Sequence, residues 1–367
     1  MTAALTISAN QTTISERPAF NPQWLESFID FIGRPGKTTQ TYITNLKQFF
    51  AYLRFKLIDN PQRKDIINYR DYLASEHRPI KLDPSAAPGW SYQSSRPDTV
   101  TLKANTIKAY LQSVCSFFKW TAAEQLYPNI AANIHAPKVN NQTHRKEALT
   151  LRQAATVENS IIEAAESRRA EILTGSGKDI IGKLQRNTEQ NKRIYAIYML
   201  AVTAGLRCIE ISRLKIKDLE AIDGRFYVWI YGKGHGDADT RKAIAADIYA
   251  AITDYLSSRT DAYTANSYLF VGSGNRSHGE AIRPDTISKM IKSALKEAGY
   301  NSDRITAHSL RHTAGTAVQE LTGDIYATQH YMRHANPATT EIYLHNQTDK
   351  KEAEIAEQLL TAYRAAI

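Results

Sequence analysis

The tightest constraint on how this chain folds is a run of apolar side chains at helical spacing. Tyr42, Leu46, Phe49, Phe50 and Leu53 fall at i, i+4, i+7, i+8 and i+11. A helical period gathers them on one face, and a strand's alternation does not. Such a stripe must be buried against others of its kind. Trp24, Phe28 and Phe31 follow Asn21-Pro22, which reads as an N-cap and a first helical position. Ile66, Tyr69 and Leu73 share one face of a helix from about Lys64 to Ser75, and Ile107, Tyr110, Leu111, Val114 and Phe118 line a fourth from Asn105. Residues 77–103 hold Pro79, Pro84, Pro88 and Pro97 and predict a long loop. Residues 1–20 thus read as a flexible polar leader and residues 21–138 as a small all-helical domain.

With 367 residues the chain is too long for one ordinary core. Pro128, Pro137 and the polar run Asn140-Asn141-Gln142-Thr143 mark a break, with a linker over 139–146. A second domain over 147–349 opens at Leu149-Thr150, where Thr150 can cap a helix. Residues 174–192 are polar, contain Gly175, Gly177 and Gly182, and predict a loop or insertion with a short helix. An apolar helix follows from Ile194 to Thr203. Asp223-Gly224 predicts a tight hairpin turn, and Phe226, Val228 and Ile230 alternate as in a strand. Gly232-Lys233-Gly234-His235-Gly236 makes a flexible tip, and Lys242-Ala243-Ile244 begins the return. Residues 285–298 and 308–322 are again helical, and a last helix over 350–367 carries Ile355, Leu359 and Leu360 on one face. The predicted fold is mostly α with a small β-sheet: a helical domain followed by a mixed α/β one.

Charge is unevenly spread. Residues 1–145 hold 17 Lys and Arg against 10 Asp and Glu, whereas the remainder holds 29 against 27. The basic excess in the first domain suits a polyanion such as nucleic acid, and equally a solubilising surface. Cys115 and Cys208 sit in apolar helical runs and read as small buried hydrophobes, not as a disulfide or metal pair. No apolar run is long enough to cross a membrane, and Met1 to Thr13 lacks the features of a signal peptide, so a cytoplasmic protein is expected.

Three segments carry chemistry. In His308-Ser309-Leu310-Arg311-His312-Thr313, His308 and Arg311 are one helical turn apart and project from one face. That pair can hold a phosphate, the arginine bidentately, and His308 can carry a proton near neutral pH; a capping histidine beside a surface arginine is the plainer alternative. In Thr203-Ala204-Gly205-Leu206-Arg207-Cys208-Ile209-Glu210, an arginine among apolar residues calls for an anionic partner, which Glu210 can supply. Arg207 can meet a phosphate and Glu210 together. In the third, Tyr343 stands nine residues after His334, across an Asn336-Pro337 turn, with Thr339-Thr340 opening a short helix. His235, Asp237 and Asp239 lack ordered metal-ligand spacing and read as a solvated hairpin tip.

Taken in order, Thr-Ala-Gly-Leu-Arg207, Gly-Lys233-Gly, His308-Ser-Leu-Arg311-His312 and His334…Tyr343 resemble the tyrosine recombinases, or phage integrases, over about residues 147–350. The helical domain is similar to that family's core-binding domain. The resemblance implies a C-shaped clamp on DNA and a site-specific recombinase that cuts and rejoins strands through a 3′-phosphotyrosine. It implies Arg207 and Arg311 as catalytic arginines, His308 and His334 as catalytic histidines, Lys233 as the mobile hairpin lysine and Tyr343 as the nucleophile. Glu210 then supports Arg207, and His312 packs inward behind the site. Arg241 and Lys242 are alternatives to Lys233 and, with Lys37, Lys47, Lys103 and Lys108, candidate phosphate contacts; such binding weakens steeply with salt. No cofactor or metal is implied. The expected partners are double-stranded DNA with inverted-repeat core sites and three further copies of the chain, forming a tetramer on two duplexes from a free monomer or weak oligomer. The C-terminal helix can dock in cis or exchange between protomers. The expected location is with the nucleoid in the cytoplasm. Against the family pattern, the interval from Leu149 to Arg207 is long, which leaves residues 166–192 without a role, and the leader is short for a separate arm-binding domain. A type IB topoisomerase-like enzyme and a non-catalytic DNA-binding regulator on this fold are the competing readings.

Overall fold

The computed structural model describes residues 19–33, 36–77, 80–81, 92–93, 99–137, 147–175, 179–231, 238–272, 279–334, 337–341 and 364. Its contacts separate into two units, Met1–Asn141 and Gln142–Ile367.

The first unit packs α1 (Trp24–Ile32), α2 (Lys37–Phe55), α3 (Arg63–Ala74) and α4 (Ala104–Ala123). Two-residue strands β1 (Ile80–Lys81) and β2 (Tyr92–Gln93) pair antiparallel within the stretch expected as a loop. The α2 stripe is buried as its spacing requires: Leu46, Phe49, Phe50 and Leu53 join Phe28, Tyr69, Leu111, Phe117 and Phe118 in one core. Phe20 closes that core, its ring 5.5 to 6.3 Å from those of Phe50, Phe117, Phe118 and Tyr127. Asn45 Nδ2 donates to Ser113 Oγ at 2.9 Å and ties α2 to α4. Helix α1 starts later than Asn21-Pro22 predicts. Asn21 Oδ1 accepts the Gln23 N–H at 2.9 Å, so Asn21 makes a local turn and the helix begins at Trp24.

In the second unit, α5 (Leu151–Thr174) is capped as predicted, with Thr150 Oγ1 accepting the Gln153 N–H at 3.2 Å. The expectation of a loop or insertion with only a short helix over 174–192 is overturned: the long helix α6 (Ile180–Val202) runs through most of that stretch. Asp179 caps it by accepting the Gly182 N–H, and its Gln, Lys, Arg and Glu residues are good helix formers on an exposed face. Then come α7 (Cys208–Arg213), β3 (Leu219–Ile222), β4 (Arg225–Tyr231), β5 (Ala238–Ile244), α8 (Ala246–Ser258), α9 (Pro284–Glu297), α10 (Ala307–Thr322), α11 (Ile325–Met332) and the single turn α12 (Ala338–Glu341). The strands form an antiparallel sheet in the order β3-β4-β5. Asp223 and Gly224 turn β3 into β4 with φ of 50° and 72°, the left-handed pair that a two-residue hairpin needs. The mostly-α fold with a small sheet is therefore as expected. The helix expected at 350–367, and the loop tip around Lys233, lie outside the described residues. Both cysteines are free and half-buried, with burial raising their pKa. Among the described residues no helix is long and apolar enough to cross a membrane.

Candidate active site

Helix α10 supplies the first pair. Its N-terminus is fixed by a capping box between Thr306 and Ser309, so that His308 and Arg311 share a face. His308 is exposed and Arg311 is 2% exposed. A buried guanidinium demands acceptors, and Arg311 has two: Nη1 donates to the Gly205 carbonyl and Nη2 to the Met332 carbonyl. This one side chain thereby ties the turn before α7 to the end of α11. Gly205 is needed in that turn. Its φ is 65°, and a Cβ there would lie 3.1 Å from the Met332 side chain.

The turn leads into Arg207, the N-cap of α7. Glu210 Oε2 accepts the Arg207 N–H at 2.7 Å, and Oε1 accepts from Arg207 Nη1 at 2.8 Å. The Arg207 side chain is 41% exposed, which leaves its head reachable from outside. Glu210 has a second arginine: Arg333 Nη2 donates to Oε2 at 2.8 Å. Burial alone would raise the Glu210 pKa, but the Arg333 charge and the Arg207 bonds outweigh it and hold the carboxyl below its ordinary value. Arg333 was not singled out from the sequence. It is the left-handed C-cap of α11, with φ 54° and ψ 49°, a conformation costing an L-residue about 1 kcal/mol or more.

His334 follows at once. It is 7% exposed, its Nδ1 lies 2.9 Å from Thr340 Oγ1, and its carbonyl accepts from Gln329 Nε2 at 3.1 Å. Burial, and then the charges of Arg311 and Arg207, push its pKa down to about 4. His312, whose ring packs edge-on 4.7 Å from that of His308, is likewise pushed to about 4 by burial, His308 and Arg311. The structure thus brings Arg207, His308, Arg311, His312 and His334 into one electrostatic neighbourhood. Tyr343 and Lys233 lie outside the described residues.

The two depressed histidines have a measurable consequence. Between pH 4 and the ordinary histidine value of 6.5, the unfolded chain binds protons that the folded one refuses, so stability rises with pH there. The contribution is fully present above 6.5 and is lost as pH falls towards 4. Thermal melts of wild type and of a His312→Asn, His334→Asn double variant are expected to differ in slope across this window, the variant being flatter. Equal slopes would refute the assignment of buried, neutral histidines.

Lys242 departs from expectation. In the sheet, Lys242 pairs with Val228, and strand alternation sends Val228, Ile230, Lys242 and Ile244 to the buried face while Arg241 points out. Lys242 is 6% exposed, and its Nζ donates to the Tyr331 carbonyl at 2.7 Å. Burial and the charges of Arg333 and Arg311, opposed by Glu210, lower its pKa to about 7. Placed so, Lys242 braces α11 from within and is not a surface phosphate contact. Arg241 is exposed, stacks 4.4 Å from the Tyr227 ring and lies 3.7 Å from Glu220. These groups border a cavity of about 660 Å³ lined by Arg241, Lys242, Tyr326, Tyr331, Arg333 and His334. In the first unit, Lys47, Lys103 and Lys108 are exposed, while the Lys37 side chain lies outside the described residues. Among the described residues no cluster of His, Cys, Asp and Glu suits a metal ion.

Residues 177–350 match the model of the phage integrase family. The chain is 25% identical to tyrosine recombinase XerD of Oceanobacillus iheyensis over 313 residues, 82% of this chain and 93% of that protein. It is 34% identical to tyrosine recombinase XerA of Pyrococcus furiosus over 147 residues, where it spans about half of that relative: 40% of this chain and 48% of XerA. Among solved structures, XerH recombinase bound to a palindromic difH substrate after cleavage superposes with a TM-score of 0.61 at 18% identity, covering 92% of this chain and 84% of that one. A lambda integrase tetramer on a Holliday junction gives 0.55 at 17% identity, covering 90% and 78%. At these identities the superpositions establish the fold.

Proposed function

We propose that the chain, whose residues 177–350 match the phage integrase family, is a tyrosine recombinase that recombines DNA at specific sites through a phosphotyrosine at Tyr343. The observation that carries this reading is the convergence of Arg207, His308, Arg311 and His334 on one place from segments up to 127 residues apart in the sequence. Two fixed guanidinium groups neutralise the charge that builds on the nonbridging oxygens as a phosphodiester is attacked. Tyr343 Oη forms the new bond to phosphorus. Its proton, held with a free pKa of about 10, passes to His308, and the arginine field favours the phenolate. The bond to O5′ breaks, and Lys233 gives the departing oxygen a proton. His334, neutral near pH 7, donates a hydrogen bond to the phosphate. The 3′-phosphotyrosine conserves the bond energy, so a 5′-hydroxyl from a second strand restores the backbone without ATP.

Glu210 orients Arg207, and His312 packs behind His308. Lys47, Lys103, Lys108 and Arg241, with Lys37, are assigned to phosphate contacts that position the duplex and read no bases. Four protomers on two duplexes make the recombining assembly. The DNA partner places the protein with the nucleoid.

The test is recombination itself. Wild-type protein in EDTA, given two linear duplexes carrying the DNA that flanks its own coding sequence, is expected to produce recombinant lengths without ATP. Relaxation of supercoiled plasmids of any sequence, with no recombinant product, would contradict the reading in favour of a topoisomerase.

A further inference from the structure

Arg333 stands at a junction that the proposed chemistry does not use. It closes α11 in the left-handed conformation, one residue before His334. Glycine adopts that conformation freely and arginine does not, so its side chain must contribute something that offsets the strain. Its guanidinium reaches Glu210 at 2.8 Å, 123 residues away in sequence, and the side chain is only 16% exposed. The same carboxylate holds Arg207 by both its backbone N–H and its Nη1. One anion therefore fastens the start of α7, which presents Arg207, to the end of α11, which presents His334. Arg333 Nε is buried without a partner among the described residues, a cost that folding alone does not call for.

We propose that Arg333 is a positioning residue that sets the spacing between Arg207 and His334 through the shared Glu210 carboxylate. The inference rests on the recombinase reading above. Lys242 and Arg311 fix the rest of the α11 terminus by bonding the Tyr331 and Met332 carbonyls. Arg311 also reaches the Gly205 carbonyl in the turn before α7, and Arg333 adds a link to α7 itself through Glu210. Without it the Arg311 bridge to the turn before α7 remains, but nothing ties the Glu210 carboxylate, and with it Arg207, to the segment that carries His334, and the two no longer meet one phosphate in a fixed geometry.

The experiment is a double-mutant cycle on strand cleavage, using full-length protein and a nicked-site duplex, with DNA affinity measured separately. Arg333→Gly relieves the backbone and is expected to keep DNA affinity within about twofold while covalent-complex formation slows at least about tenfold. Arg333→Met keeps the apolar stem and is expected to lose as much. In a Glu210→Gln background, Arg333→Gly is expected to change the rate by less than about twofold, because the link is already broken. Single variants at wild-type rate, or an undiminished loss in the Glu210→Gln background, would overturn the proposal. Should Arg333→Gly fold poorly, the methionine variant decides alone. The wild-type reaction separates the two levels: no covalent complex with wild type means that the recombinase reading itself has failed, whereas a wild-type complex with additive variants sinks only the coupling.

Discussion

Replacing Arg311 with alanine is expected to slow DNA strand cleavage by roughly 10²- to 10³-fold, the usual effect of removing one preorganised transition-state donor, and to destabilise the second unit as well. The double penalty follows from its position. Arg311 is 2% exposed and donates to the Gly205 and Met332 carbonyls. Alanine leaves both acceptors buried and unpaired, at about 1 to 3 kcal/mol each. Arg207→Ala is the instructive contrast. Its side chain is 41% exposed, and its carboxylate partner keeps Arg333, so the expected loss of rate comes with little change in melting temperature. Arg311→Lys retains the charge but not the planar fork that spans two carbonyls and a phosphate, and should rescue stability only in part. Cleavage rates and thermal melts on the three variants check this. An Arg311→Ala protein that melts like wild type and cleaves within about tenfold of it would contradict the role.

What the sequence reveals about this protein is mostly what is local. The α2 stripe at Tyr42, Leu46, Phe49, Phe50 and Leu53 reports its helix because one helical period decides which side chains share a face. Asp223-Gly224 reports its hairpin because only a few residues tolerate two successive left-handed φ values. Thr150 reports a helix start because its hydroxyl can accept the free Gln153 N–H of the first turn. The long polar part of α6 misleads because a helix exposed on most of its surface carries little apolar periodicity, and Gly182, with Gly175 and Gly177 just before the helix, reads as punctuation.

The site divides along the same line. Arg207, Glu210, His308 and Arg311 are legible because each pair lies one helical turn apart. The burial of Lys242 is not, since it depends on which residue of β4 faces it across the sheet, and a shift of one position would turn it outward. Arg333 is invisible for a related reason: its partner lies on another element, and nothing nearby in sequence signals that a helix will end there in a strained conformation.

Tyr343→Phe is expected to abolish covalent attachment to DNA while leaving binding intact. Phenylalanine keeps the ring and loses only the hydroxyl to which the attack on phosphorus is assigned. Losses of a nucleophile reach roughly a millionfold where they have been measured in other covalent enzymes. Arg207 and Arg311 still attract the phosphate, so the variant should hold its site about as tightly as wild type. The chain has 20 tyrosines, which makes the position of attachment informative in itself.

The decisive measurement is therefore to incubate wild type and Tyr343→Phe, in EDTA, with the DNA that flanks the protein's own coding sequence, to resolve the products on denaturing gels and to map the DNA-linked peptide. The account predicts a covalent complex with wild type only, linked at Tyr343 to a 3′ phosphate. A complex that persists in Tyr343→Phe, or a linkage at another residue, would contradict it.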